Sequence, residues 1–380
     1  MESFDAVVAG AGPAGAVAAR DLARQGARVA LVDGSHPREK PCGGGVTGRA
    51  LELVGVRPKE GPAGGQIIDA VTFEAGGRSA RVPLPDGDYL KVFPRRAFDE
   101  ALLQQAVAAG ATHIPHRVGT ITRAADRWQL TAGPTSLSAP WLLGADGPAG
   151  VVRKQVFRPF ERRQLSIAAG SYVDSVETSE IVIGFVDRPS GYLWSFPRAG
   201  HLAVGTCAQA SETTTAEMHA VTDRWLDQYP RAAGRTRERY AWPIPSLESG
   251  DVDAEEPAGD GWMLLGDAAG LVDPITREGI FFALRSGMLA AGALGESAPQ
   301  RVYADAVRDE LHDELRRAAR LKAGFYRPRF TRLLIDALNQ SAPIREVMLN
   351  LVAGRQPYRG LKRRLLGTLE VGLMWKVLTT

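Results

Sequence analysis

A chain of 380 residues, 44% hydrophobic and 23% charged, is long enough for two domains and has the composition of a globular protein, not of a disordered or fibrous one. No apolar run approaches the ~18 residues of a membrane-spanning helix, and two cysteines without a CxxC, Cys42 and Cys207, exclude a disulfide framework and fit a reducing, cytoplasmic setting. The net charge is +3, but residues 316–380 hold fourteen Lys/Arg against three Asp/Glu, so a basic tail follows an acidic body; no nucleic-acid partner is expected.

The first apolar segment, residues 4–9, runs straight into Gly10-Ala-Gly12-Pro13-Ala14-Gly15. An Ala-rich helix over 16–24 and a second apolar strand over 27–32 follow, and Asp33 stands eighteen residues after Gly15. Strand, glycines, helix, strand and terminal acid together form a dinucleotide-binding unit. Gly10 permits the tight turn, Gly12 lets a pyrophosphate approach the backbone, and Gly15 lets helix and strand pack. The helix N-terminus offers free N–H groups to phosphate, and Pro13 and Ala14, between the glycines, are expected to bind the cofactor with them. Asp33 is expected to accept hydrogen bonds from a ribose diol. Because the fingerprint begins by Phe4, no signal peptide is expected.

A loop over 34–48 is rich in Gly and Pro, and a short helix is expected over 47–53. Residues 67–73 and 78–83 read as a hairpin around Gly76-Gly77. A helix from Arg95 runs to 109 and stops at Gly110. Strands are expected over 112–121, 128–132 and 141–143. His113 and His116 form an HxxH without a Cys or acidic cluster, so they read as surface polar groups and no metal site is expected. Residues 165–205 are strand-rich, 214–229 form a helix ended by Pro230, 262–265 a buried strand and 279–294 a helix. From 300 onward nearly everything reads as helix, interrupted at Pro328, Pro343, Gly354 and Pro357.

Three further segments turn "dinucleotide" into FAD. Leu143-Gly-Ala-Asp146-Gly147 ends a strand on an acid. Gly261-Trp-Met-Leu-Leu-Gly266-Asp267 delivers Asp267 at the C-terminal end of a buried strand, where open α/β sheets bind ligands and a carboxylate can hold the ribityl hydroxyls of a flavin. Asp273-Pro274-Ile-Thr-Arg277-Glu-Gly279 leads into a helix from Ile280, whose N-terminus puts positive potential beside the flavin pyrimidine edge and favours the reduced state. The expected fold class is α/β: an FAD-binding Rossmann-type sheet, a β-sheet substrate domain and a helical C-terminal region. The expected boundaries are 1–68, 93–156 and 262–298 for the discontinuous FAD domain, 69–92 and 157–261 for the substrate domain, and 299–380 for the helices.

This set resembles the flavoprotein group that includes para-hydroxybenzoate hydroxylase, in which the Asp-Gly segment helps position FAD. Arg95 matches that group's Arg three residues before a Phe or Leu, which implies a pyrophosphate or flavin contact; otherwise it is a surface charge at a helix start. Lys40-Pro-Cys42-Gly43-Gly44-Gly45 resembles the Cys-Gly-Gly loop beside the flavin in the geranylgeranyl reductase family. Tyr192-Leu-Trp194-Ser-Phe-Pro197 resembles that family's YxWxFP segment, which lines a lipid-binding tunnel. The likeness covers residues 1 to about 300. The chain departs from the pattern at Arg277, where the family usually has Gly, at Gly150, where Ser is common, and at Cys207, where a Gly is expected. An arginine at 277 would stabilise reduced flavin, bind an anion or alter access to the flavin.

The resemblance implies an FAD-dependent reductase that saturates C=C bonds of an isoprenoid or prenyl-lipid-like hydrophobic substrate, with the hydride coming from reduced flavin N5. Isolated alkenes are poor hydride acceptors, so alignment, exclusion of water and a proton donor are required. Cys42 and Tyr192 are the candidate donors and Trp194 a further candidate site residue. The plainer readings are a small residue in a tight turn for Cys42, and sheet packing for Tyr192 and Trp194, which share one strand face. With no second GxGxxG, the electron donor is expected to be transiently bound NADPH or a reduced ferredoxin acting as redox partner. The alternatives are a monooxygenase or halogenase that activates oxygen on the same fold, or a flavin-binding regulatory or carrier protein without turnover. In the basic tail, Leu361, Leu365, Leu369 and Leu373 form an apolar stripe beside Lys362, Arg363, Arg364 and Trp375. That stripe either meets an anionic membrane peripherally or packs on the protein's own body.

Overall fold

The computed structural model describes residues 1–55, 65–84 and 90–368. Strand Ala6–Ala9 lies inside a six-stranded sheet ordered Ala258–Gly259, Trp262–Leu264, Trp141–Gly144, Ala6–Ala9, Val29–Val32, Thr112–Ile114. Every neighbouring pair is parallel except the first, which is antiparallel. The central strands are buried throughout, which is why they read as unbroken Val, Leu and Ala runs. The chain goes from Ala6–Ala9 to Val29–Val32 on one side and later adds Trp141–Gly144 on the other. That reversal opens a crevice at the C-terminal ends of the strands. Gly10, Ala145 and Leu265 are the first residues beyond three of them.

Helix Pro13–Arg24 starts with Pro at its first turn and Gly12 as its cap. A Cβ at Gly15 would stand 1.9 Å from the Gly10 carbonyl oxygen, so only glycine allows this strand–helix approach. Gly287 in helix Ile280–Ala293 has the same function, since a Cβ there would lie 2.4 Å from Ala14 O. These contacts bring two helices against each other at backbone distance and point both N-termini into the crevice region.

A seven-stranded sheet is ordered Arg237–Pro245, Leu165–Asp174, His201–Gln209, Gly191–Arg198, Glu180–Val186, Ala70–Ala75, Arg78–Pro83. The hairpin around Gly76-Gly77 is present, as Ala70–Ala75 pairs antiparallel with Arg78–Pro83. Helix Thr215–Gln228, capped by Thr214, covers one face, with Leu226 against Val173, Leu193 and Val204. A smaller four-stranded sheet is ordered Glu2–Ser3, Thr135–Ala139, Arg127–Ala132, Val118–Ala124. The strand expected over 112–121 divides between two sheets at Pro115, which has no N–H for a ladder. Strand Thr135–Ala139 adds to the expected strands; it pairs with Arg127–Ala132 across a turn at Gly133 (φ 57°).

After Pro299 the chain is helical: Pro299–Val307, a π-turn at Arg308–His312, Asp313–Phe325, Pro328–Gln340, Ala342–Val352 and Leu361–Leu366. Pro328 and Pro343 stand in the first turns of their helices and so start them instead of interrupting them. Tyr303, Val307, Leu311 and Leu315 join the core of the six-stranded sheet. Leu334, Ile335, Leu338 and Ile344 close on Phe73, Val82 and Ile181 of the large sheet. Leu361 and Leu365 pack, partly buried, against that second core, which favours the body-packing reading for this end of the stripe. Leu369, Leu373 and Trp375 lie outside the described residues. Among the described residues no helix is long and apolar enough to cross a membrane.

Candidate functional site

A cavity of about 680 Å³ is lined from both large sheets and has two chemically distinct halves. The polar half is built on the crevice by Gly10, Gly12, Pro13, Ala14, Asp33, Lys40, Arg95, Asp146 and Asp267. A Cβ at Gly12 would meet nothing within 4 Å, so open space lies directly before the first helix. Gly10 needs its φ of 99°, and a Cβ there would strike Ala145 O at 2.4 Å. Three fingerprint and loop positions do not line the cavity. Gly15 serves helix packing, Gly266 donates its N–H to Ser286 Oγ at 3.0 Å, and Pro274 is buried within its own loop.

Asp33 is held in place by Ala11 N at 2.9 Å, by Ser35 N and Oγ at 2.7 and 2.6 Å, and by His36 Nδ1 at 2.9 Å. Burial alone would raise its pKa; these hydrogen bonds and the His36 charge outweigh it and keep the carboxyl well below the usual range. Arg95 is buried and pairs bidentately with Asp99 at 2.9 and 2.7 Å, so it is not an exposed helix-start charge. Asp146 accepts Val152 N at 3.0 Å, while its Oδ1 is buried without a partner and burial pushes its carboxyl up. A Cβ at residue 150 would stand 2.1 Å from that Oδ1, which accounts for Gly150 where the related pattern has Ser. Lys40 Nζ lies 3.0 Å from Asp267 Oδ2 and ties the glycine loop to the end of the Trp262–Leu264 strand.

The Cys42 loop and the Tyr192 strand, distant in sequence, are in contact. A Cβ at Gly43 or Gly45 would come within 3.1 or 2.9 Å of the Phe196 ring, so the aromatic packs flat on bare backbone. Arg198, 1% exposed, donates from Nε to Gly43 O at 3.1 Å, from Nη2 to Cys42 O and from Nη1 to the Glu39 carboxylate. Glu39 also accepts Arg95 N at 2.8 Å and Arg96 N at 3.0 Å, the free N–H groups of the next helix. Cys42 is half-buried, and its Sγ accepts Gly44 N at 3.3 Å.

Tyr192, Trp194 and Phe196 alternate along one strand and all line the cavity. With Val71, Phe73, Ile181, Phe185, Phe325 and Tyr326 they make its other half apolar. Tyr192 OH donates to Thr276 O at 3.0 Å, and Tyr326 OH donates to Ile275 O. The two rings stack at 6.4 Å with an interplanar angle of 6°. The loop between Asp273 and Gly279 is thereby fixed from the apolar half by two hydroxyls. Within it Glu278 accepts Thr47 Oγ1 at 2.9 Å and pairs with Arg49. Arg277 takes φ 58°, a left-handed conformation that costs a non-glycine residue roughly 1–2 kcal/mol. Gly279 and Ile280 line the cavity at the start of the following helix.

Lys40, Arg198, Phe196, Trp242 and Tyr326 are site residues that the sequence reading did not single out. Arg198 carried a faint signal, as the residue directly after Tyr-Leu-Trp-Ser-Phe-Pro on the same strand. Tyr326 carried none, because it reaches the site from a helix end more than 120 residues away in sequence.

Residues 3–297 match the FAD binding domain family. The chain belongs to that family. The FAD-binding protein is 28% identical to digeranylgeranylglycerophospholipid reductase 2 of Methanopyrus kandleri over 95% of either chain. It is 28% identical to geranylgeranyl diphosphate reductase of Rhodobacter capsulatus, covering 76% of this chain and 74% of the relative. It is 29% identical to menaquinone reductase of Mycolicibacterium smegmatis, covering 76% and 75%. In fold it is similar to a geranylgeranyl bacteriochlorophyll reductase-like protein of Thermoplasma acidophilum, with TM-score 0.80, 20% identity and coverage of 97% and 100%. It is also similar to a flavin-dependent brominase, with TM-score 0.68, 20% identity and coverage of 93% and 94%. The expected α/β fold and the resemblance to geranylgeranyl reductases are thus both met. The polar half fits FAD: open space before a helix N-terminus, an unpartnered Asp146 oxygen and a strand-end Asp267 are complementary to phosphates and hydroxyls.

Proposed function

We propose that this FAD-binding protein is a reductase that saturates C=C bonds of a hydrophobic, prenyl-type substrate. One observation carries the reading. The apolar half of the cavity, walled by Tyr192, Trp194 and Phe196, opens directly onto the Cys42–Gly45 loop and the polar half. The names of the relatives in Methanopyrus kandleri and Rhodobacter capsulatus support the substrate class.

Gly10, Gly12, Pro13 and Ala14 would hold the FAD pyrophosphate, Asp33 a ribose, and Asp267 the ribityl chain; Gly279 and Ile280 would face the flavin ring. When bound and reduced, FAD supplies the hydride. The chain's own residues supply the rest. The aromatic face of Tyr192, Trp194 and Phe196 aligns the substrate and excludes water. Cys42 stands where the two halves meet and is the favoured proton donor. Tyr192 is the second choice, because its proton is already given to Thr276 O and burial pushes its hydroxyl pKa up. NADPH or a reduced ferredoxin would deliver the electrons. The protein works in the cytoplasm, and the basic tail would meet the anionic surface of the membrane that holds the lipid.

The test is anaerobic incubation of the dithionite-reduced protein with geranylgeranyl lipids, read by mass spectrometry. Products heavier by two hydrogens per bond are expected. Substrate left intact without oxygen, but hydroxylated or halogenated when oxygen and halide are supplied, would replace this reading with the monooxygenase or halogenase one.

A further inference from the structure

Of the cations that line the polar half, Lys40 pairs with Asp267, Arg95 pairs with Asp99, Arg38 donates from Nε to Ser35 Oγ at 2.9 Å, and Arg117 is exposed to solvent. Arg277 is different. Its guanidinium stands in the apolar half beside Cys207, Tyr326 and Tyr192. Tyr192 and Cys207 are cross-strand partners, so this wall belongs to the large sheet and not to the nucleotide crevice. Arg277 Nε and Nη1 are buried without a hydrogen-bond partner, and no described carboxylate lies within 4 Å ion-pairing distance of the side chain.

A second cation stands behind it. Lys322 Nζ is held by Gln209 Oε1 at 2.6 Å and Ser246 Oγ at 2.7 Å, again with no described carboxylate in ion-pairing range. Burial first, and then the positive charge of Arg277, push the Lys322 ammonium down to about 8. Buried donors left unpaired are costly, and the backbone at 277 has a φ that glycine adopts without strain. The chain therefore keeps an arginine where both solvation and backbone disfavour it. An anionic partner offsets both.

We propose that Arg277, backed by Lys322, is a subsite for a carboxylate carried by an otherwise hydrophobic substrate. A single guanidinium with unpartnered donors, enclosed by aromatic rings, balances one negative charge and matches a carboxylate. A diphosphate would bring more charge than these two cations neutralise. The inference rests on the apolar half being the place of the substrate.

Calorimetric titration of the oxidised, FAD-loaded protein without reductant compares farnesoic acid with farnesol, so that no turnover is needed. Charge-assisted hydrogen bonds make the acid bind at least about tenfold more tightly than the alcohol. R277G should abolish that preference, leave farnesol affinity unchanged, retain FAD and melt no lower than the parent protein. R277Q reads the same comparison without changing the backbone preference. Equal affinity for acid and alcohol, binding of neither, an unchanged preference in both variants, or loss of FAD from R277G overturns the subsite. If the acid binds as expected but the reduced protein saturates no prenyl compound, the subsite stands and the proposed reaction falls.

Discussion

Arg198 Nε donates to Gly43 O at 3.1 Å, across 155 residues of sequence. With its bonds to Cys42 O and Glu39, it clamps the cysteine loop onto the aromatic strand that walls the cavity. Removing the guanidinium leaves Glu39 without its buried partner and the loop carbonyls without a donor. R198M should lower stability by roughly 3 kcal/mol, the usual scale for breaking a buried ion pair. R198K should recover little, because an ammonium cannot serve three acceptors in one plane. Urea unfolding of both variants measures this; a loss below about 1 kcal/mol would mean the loop is held by Phe196 packing alone.

In the proposed FAD site Asp267 would hold the ribityl chain, and Lys40 Nζ stands 3.0 Å from its carboxylate. D267A should weaken FAD binding about ten- to a hundredfold, the equivalent of a charge-assisted hydrogen bond of roughly 1.5–3 kcal/mol. Titration of the apoprotein with FAD, followed by flavin fluorescence, provides the measurement. Acid or heat should release intact FAD from the parent protein; colour remaining on the precipitated chain would show covalent attachment instead.

Cys42 and Tyr192 make separable predictions. General acid catalysis typically contributes ~10²–10⁴-fold, so C42S should lose turnover on that scale while retaining FAD. Y192F should lose less turnover but lower the thermal midpoint, because its hydroxyl anchors the Thr276 carbonyl at 3.0 Å. Full activity in C42S with a collapse in Y192F would reverse the assignment. Single-turnover rates of the prereduced protein isolate the step.

His312 predicts acid sensitivity far from the site. Burial, and then the charges of Arg316 and Arg308, push its pKa down from 6.5 to about 4. The unfolded chain therefore binds a proton below pH 6.5 while the folded chain binds it only below about 4. Stability from this group is complete above pH 6.5, falls as the pH drops toward 4, and changes no further below that. The full loss is roughly 3 kcal/mol. H312L should flatten that part of the stability–pH curve; parallel curves for parent and variant would show that His312 titrates normally.

The tail can be tested without reference to the reaction. Leu361 and Leu365 pack against the core that holds Leu334 and Phe73. Deleting residues 360–380 should therefore lower the thermal midpoint. Co-sedimentation with anionic vesicles, weakened by salt and absent with neutral ones, checks whether the basic tail also meets a membrane. Equal recovery in the supernatant with both vesicle types would remove the membrane contact.

The FAD-binding unit was legible in the sequence because its determinants are local. Gly10, Gly12, Gly15 and Asp33 act within one strand–helix–strand segment, and their spacing records the turn, the phosphate approach and the closing acid. Asp146 and Asp267 were legible for the same reason, each sitting at the end of an apolar strand. What the tertiary structure decided is how remote segments meet. Arg198 reads as one more polar residue at a strand end until the Cys42 loop folds over Phe196, and Tyr326 reads as a helix terminus until its ring stacks on Tyr192. The character of Arg277 depends on this most of all. In sequence it is an arginine where a glycine was expected. Only the surrounding strands and helix, by covering Nε and Nη1 and bringing Lys322 near while no described carboxylate comes within ion-pairing distance, make it a partly buried cation with two unpartnered donor atoms. Burial and charge balance are properties of packing between distant segments, and no local pattern of residues encodes them.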